Sequence, residues 1–161
     1  MKSSTKTETV KEFEFTQQDF ERVRSMIYKR AGIALAESKQ EMVYSRVARR
    51  LRATGMRSFA SYLDSLERGS NSDEWEAFTN ALTTNLTSFF REAHHFPILA
   101  EHVKDRKEPI TIWCSASSTG EEPYSIAMTL CEAFNTLTPP AQVIATDIDT
   151  NVLAIGEKGV Y

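Results

Sequence analysis

The chain has 161 residues, 41% hydrophobic and 25% charged, which suits one globular domain or two small ones and excludes a disordered or low-complexity chain. No apolar run approaches the roughly 20 residues of a membrane-spanning helix, and the first residues lack the apolar core of a signal peptide, so a soluble cytoplasmic protein without membrane insertion is expected. The net charge of −3 hides a split: residues 16–70 hold eleven Lys and Arg against six Asp and Glu, and residues 71–161 hold five against thirteen, so a half suited to an acidic partner precedes an acidic half.

Residues 1–14 are polar and aperiodic and read as a mobile tail. Thr16 followed by Asp19 is an N-cap with an acidic first turn, Phe20, Val23 and Ile27 recur at helical spacing, and Gly32 suits a left-handed stop. Ser38 and Glu41 form a capping-box pattern for a second helix that runs to Gly55. On it Val43, Tyr44, Val47 and Leu51 share one arc, while Lys39, Arg46, Arg49 and Arg50 make a basic stripe beside it. Ser58 opens a third helix that ends near Gly69, and Ser72 with Trp75, Phe78 and Leu82 marks a fourth. Residues 15–84 are therefore expected to form an all-α domain. No base-stacking aromatics interleave with the arginines, which argues against nucleic acid as the partner.

The segment Leu82–Glu92 mixes Asn85, Thr87 and Arg91 with Phe89 and Phe90, and it reads equally as a pocket wall and as a turn between helices. A helix is expected over Glu92–Val103. Its His94, His95 and His102 lack any metal-binding spacing, so no metal is expected. Ile110–Cys114 is a β-prone run, Glu121–Phe134 a helix with Ala127, Leu130, Cys131 and Phe134 inward, and Gln142–Thr146 a second strand followed by a helix near Asn151–Lys158. Cys114 and Cys131 read as packed thiols, because two isolated cysteines make neither a zinc site nor a disulfide framework. Strand, tight loop, helix, strand and acid is the order of a nucleotide-binding βαβ unit, and two strands only begin a doubly wound sheet. The fold class is thus α/β, with an all-helical domain before the start of a Rossmann-like domain over residues 85–161.

The loop Ser115–Pro123 has small side chains, one glycine and a helix start behind it, which lets a ligand approach the backbone. Glu121 and Glu122 at that helix start disfavour a diphosphate and favour a ligand with a positive centre, and S-adenosylmethionine, an adenosine with a sulfonium and no phosphate, fits. Asp147 stands at a strand end where a carboxylate accepts from ribose hydroxyls, 27 residues beyond Gly120. Asp149 reads instead as the cap of the last helix.

The strings NLTSFFRE, STGEEPYS and ATDID, together with the helical AGIALAESKQEMVYSRVARRLRATG, resemble the CheR-type chemotaxis protein methyltransferases over about Phe15–Tyr161. The resemblance implies transfer of a methyl group from S-adenosylmethionine to glutamate side chains of bacterial chemoreceptors, leaving S-adenosylhomocysteine. It also implies that Asn85, Thr87, Arg91, Ser115, Glu121 and Asp147 contact the cofactor. Arg91 would lie at the cofactor's amino acid end near the reacting centre, as the one residue assigned to catalysis. Where family members often have alanine next to the tryptophan, this sequence has Cys114 and Ser115. Arg46, Arg49 and Arg50 would dock on the acidic cytoplasmic helices of the receptors. Family members continue with further strands, so the chain reads as truncated, with a non-catalytic docking module as the alternative function.

Overall fold

In a computed structural model the described residues are 11–69 and 72–161, and they fall into two compact units, the chain passing from one to the other between Leu82 and Thr83. The first is wholly helical: α1 Gln17–Ala31, a 3-10 turn Glu37–Lys39, α2 Gln40–Thr54, α3 Phe59–Arg68 and α4 Ser72–Leu82. Thr16 caps α1 in a full capping box with Asp19, Gly32 and Gly55 close α1 and α2 in the left-handed conformation, and Ser58 caps α3. The apolar stripes converge on Phe20, Ile27, Val47, Leu51, Tyr62 and Phe78, each at most 1% exposed.

Two expectations for this unit are corrected. Ser38 does not cap α2. The chain enters that helix through the 3-10 turn, and Lys39 at its N-cap supplies no side-chain bond. The expected tail over residues 1–14 lies outside the described residues up to residue 10, but residues 11–14 are held against α2. Lys11 pairs with Glu41 at 2.7 Å, Glu12 with Arg52 at 2.6 Å, and the Phe13 N–H donates to the Tyr44 hydroxyl at 3.4 Å. Phe13 and Phe15 also pack on the core, so apolar side chains that broke no helical period still anchor the segment.

The second unit contains α5 His95–Val103, β1 Ile110–Cys114, α6 Glu121–Phe134, β2 Ala141–Ala145 and α7 Thr150–Lys158. The strands are parallel, from Ile110 opposite Ala141 to Cys114 opposite Ala145, with α6 as the crossover. Side chains alternate across the pair. Cys114 turns to the side packed with Phe96, Ile126 and Leu130, and Trp113 and Ile144 face away, 68% and 42% exposed. The inward face of α6 is centred on Ile126, Thr129 and Leu130, about one position from the expected stripe, and Cys131 is only half-buried. The helix expected from Glu92 starts at His95, because Phe90 and Glu92 adopt left-handed φ values of 52° and 54° that no α-helix tolerates. Among the described residues no helix is long and apolar enough to cross a membrane.

Candidate cofactor site

β1 and β2 deliver two loops to the same end of the sheet. The Thr146 N–H donates to the Cys114 carbonyl at 2.9 Å and the Ser117 N–H to the Thr146 carbonyl at 3.0 Å, which extends the ladder past both strands and sets Ser118 beside Asp147. The Ser118 N–H then donates to Asp147 Oδ2 at 2.8 Å, and the Asp149 N–H to Asp147 Oδ1 at 2.9 Å. Each oxygen keeps a second lone pair, so the half-buried carboxylate is oriented by the backbone and still able to accept from hydroxyl groups. Burial raises the pKa of the Cys114 thiol, and the nearby charges of Glu122 and Asp147 raise it further.

A cavity of about 230 Å³ lies beside this end, and its lining includes Thr87, Arg91, Glu92, Phe96, Glu122 and Ile126. It is smaller than the roughly 300–1,000 Å³ of complete small-molecule sites, so it suits one end of an extended ligand. Arg91 is exposed, and one of its terminal nitrogens donates to the Leu86 carbonyl. The lining holds one guanidinium and two carboxylates, the charge types that complement the carboxylate and ammonium of an amino acid. Backbone strain collects around Arg91 and in the loop after β1. Among the described residues four non-glycine residues have positive φ; Asn135 merely closes α6, while Phe90 and Glu92 flank Arg91 and Ser118 (48°) follows β1.

Of the sequence candidates, Thr87 and Arg91 come together in this cavity and Asp147 stands at the neighbouring strand end. Glu121 is not in it. Its Oε2 accepts from the Thr119 hydroxyl at 2.6 Å, and Glu122, about 100° further round α6, takes the cavity position. Glu122 lies four residues before buried Ile126 and therefore on the same stripe of α6. The Asn85 amide turns to Asp149 at 2.6 Å, and Ser115 is exposed and lines neither this cavity nor the larger one. Asp149, 3% exposed, caps α7 through the Asn151 N–H at 3.0 Å, as the sequence indicated. Buried Ser125 was also missed; its hydroxyl accepts the Phe90 N–H at 3.0 Å.

The larger cavity, about 690 Å³, opens between α6 and α7 and is lined by Ala127, Val143, Ala145, Leu153 and Ala154 among others. It contains none of the polar candidates, and no cation there could hold a carboxylate, so size is the weaker guide. Nor does Gly120 cradle a ligand with its missing Cβ: at φ 106° that position is filled by the Tyr161 hydroxyl, with Gly156 Cα at 3.0 Å. The donor set as a whole, one guanidinium, adjacent carboxylates and an oriented aspartate with spare lone pairs, fits S-adenosylmethionine, with its amino acid end, sulfonium and ribose.

On α2 the basic stripe is partly consumed within its own unit. Arg50 forks onto Glu74 at 3.0 and 2.6 Å, with its pKa raised chiefly by that bond, and Arg46 donates to the Ala81 carbonyl at 3.3 Å. Arg49 points to solvent. The His94 and His95 rings meet edge to face at 4.1 Å between centroids, His94 lies 3.8 Å from Glu92, and His102 is 3.0 Å from Arg106.

Comparison with known proteins agrees with this division. Residues 18–83 match the family model described as CheR methyltransferase, all-alpha domain, and residues 85–161 match CheR methyltransferase, SAM binding domain. The second match makes S-adenosylmethionine the cofactor of the fold to which residues 85–161 belong. The chain is 56% identical to the chemotaxis protein methyltransferase of Salmonella typhimurium and 54% identical to that of Escherichia coli, each over 142 residues, which is 88% of this chain and 49% and 50% of those proteins. It is 52% identical over 153 residues to chemotaxis protein methyltransferase 2 of Pseudomonas aeruginosa, covering 93% of this chain and 54% of that protein. The chain thus spans about half the length of the curated relatives it matches. With an all-α unit and a βαβ unit in the order of the two family models, it belongs to the CheR methyltransferase family.

Proposed function

We propose that this chain serves the methyl esterification of glutamate side chains on cytoplasmic chemoreceptor helices, with the α/β unit holding S-adenosylmethionine and the helical unit docking the receptor. The observation that carries the reading is the meeting of Thr87, Arg91 and Glu122 around one cavity, with Glu122 and Asp147 both close enough to Cys114 to act on its thiol. When bound, the cofactor supplies an electrophilic methyl on a cationic sulfur. Arg91 would fork onto its carboxylate, Glu122 rather than Glu121 would meet its ammonium, and Asp147 would accept from the ribose. Thr87 would border the methionine portion, and Asn85 would shape the wall through its bond to Asp149. No general base is needed, because a glutamate carboxyl with a pKa near about 4.3 is already ionised at neutral pH. What remains for the protein is alignment and exclusion of water, with Arg91 the catalytic candidate.

Of the α2 arginines, Arg49 is the docking residue this reading favours, and Arg46 and Arg50 shape the surface from which it projects. The closed core of the helical unit supports a second reading, in which that unit docks on acidic helices without catalysis. Calorimetric titration with S-adenosylhomocysteine separates the two. The first reading predicts saturable binding that Asp147→Ala abolishes, and the second predicts a folded chain that releases no heat.

A further inference from the structure

Asp149 does more than the cap of a helix requires. A cap uses one carboxylate oxygen, and Oδ1 fills that role by accepting from the Asn151 N–H. The other oxygen, Oδ2, accepts from the Thr83 hydroxyl and from the Asn85 amide, both at 2.6 Å, and the residue is only 3% exposed. Asn85 and Asp149 also belong to a closed circuit. The Ser118 hydroxyl donates to the Asn85 carbonyl at 3.0 Å, the Ser118 N–H to Asp147, and the Asp149 N–H to Asp147 in turn. The segment that begins at Thr83 is fastened again at Phe90, whose N–H meets Ser125 Oγ. Thr87 lies between the two fastenings, and Arg91 follows the second.

We infer that Asp149 is a positioning residue: its buried carboxylate clasps Thr83 and Asn85 and thereby sets where Thr87 and Arg91 stand in the cofactor cavity. Charge-assisted bonds in a site screened from water are the strong ones, and removing one partner leaves the other's polar groups unsatisfied. The clasp joins three stretches distant in sequence, residues 83–85, the loop after β1 and the loop after β2. It therefore orders the cavity wall before any ligand arrives. Its bearing on methyl transfer rests on the function proposed above.

The test is amide hydrogen exchange on the ligand-free chain. Asp149→Asn keeps an oxygen for the α7 cap but turns an amide group toward Asn85, donor against donor. Exchange at Phe90 and Arg91 is expected to quicken by about tenfold or more, the size of a lost charge-assisted hydrogen bond, while Asn151 changes little. Adding Asn85→Asp reverses the polarity of the pair and should restore slow exchange, a rescue that a capping role alone does not produce. Thr83→Val removes one donor without touching the cap, and should give a smaller acceleration at the same two amides; it decides the matter if Asp149→Asn unfolds the unit. Unchanged exchange at Phe90 and Arg91 in both single variants, or an acceleration that the polarity reversal leaves in place, would overturn the clasp. Titration of the wild-type chain with S-adenosylhomocysteine decides the cofactor reading separately, so either can fail without the other.

Discussion

The two units bury their apolar residues differently. Among the described residues, the helical unit leaves one large hydrophobic side chain exposed, Tyr28, whereas the α/β unit leaves thirteen, including Trp113 and Ile144 opposite each other on the strands. Four amphipathic helices close around one core because each has a single stripe to hide. A parallel βαβ unit has two sheet faces, and here α6 and α5 cover one of them. The helical unit therefore closes its core within itself, whereas the α/β unit leaves apolar surface open. The site follows the same logic. Its polar network holds loops that a small core does not hold alone.

Each unit contains one tryptophan, Trp75 and Trp113, so versions carrying Trp75→Phe or Trp113→Phe report on the units separately. The largest expected effect is Phe78→Ala, a cavity in the helical core that costs about 3–5 kcal/mol in the Trp75 transition and leaves the Trp113 transition in place. Glu74→Ala comes next. It strips the partner from both Arg50 and Tyr62, whose hydroxyl donates to Glu74 at 2.6 Å, and should cost about 1–3 kcal/mol by denaturant titration. Thr16→Ala removes the α1 cap and should cost about 1 kcal/mol. Arg49→Glu should change stability by less than about 0.5 kcal/mol yet weaken binding to acidic receptor helices in a pull-down, whereas Arg50→Ala should lower stability first.

Alkaline titration sharpens the contrast. Burial, and then the Glu74 bond, raise the Tyr62 phenol well above its ordinary 10.0, so its contribution is whole below about pH 10 and is lost as pH climbs beyond. Burial raises Cys114 from 9.0, so its contribution is whole below about pH 9 and lost above. The Trp113 signal of the α/β unit should accordingly give way at lower pH than the Trp75 signal, and Cys114→Ser should narrow the gap.

Helix ends and strands were legible because their signals are local: Thr16 with Asp19, Gly32, Gly55, Ser58, and the β-prone Ile110–Cys114 lie where the structure uses them. The acidic helix start was legible too, but not which of its two glutamates enters the cavity, since that depends on the rotation of α6 against α5. The clasp of Asp149 on Asn85 was hidden for a different reason. Its partners are 64 residues apart, and a side chain used to fasten a loop looks, in sequence, like one free to meet a ligand. Arg50 is a similar case, since a basic stripe does not reveal that Glu74 waits on the neighbouring helix.

The most direct test of the account is the unfolding of the two tryptophan reporters with and without S-adenosylhomocysteine. If the cofactor site lies wholly in the α/β unit, ligand at a hundred times its Kd should stabilise the Trp113 transition by about 2.7 kcal/mol and leave that of Trp75 unmoved. A shift confined to Trp75, or none in either reporter, would contradict it.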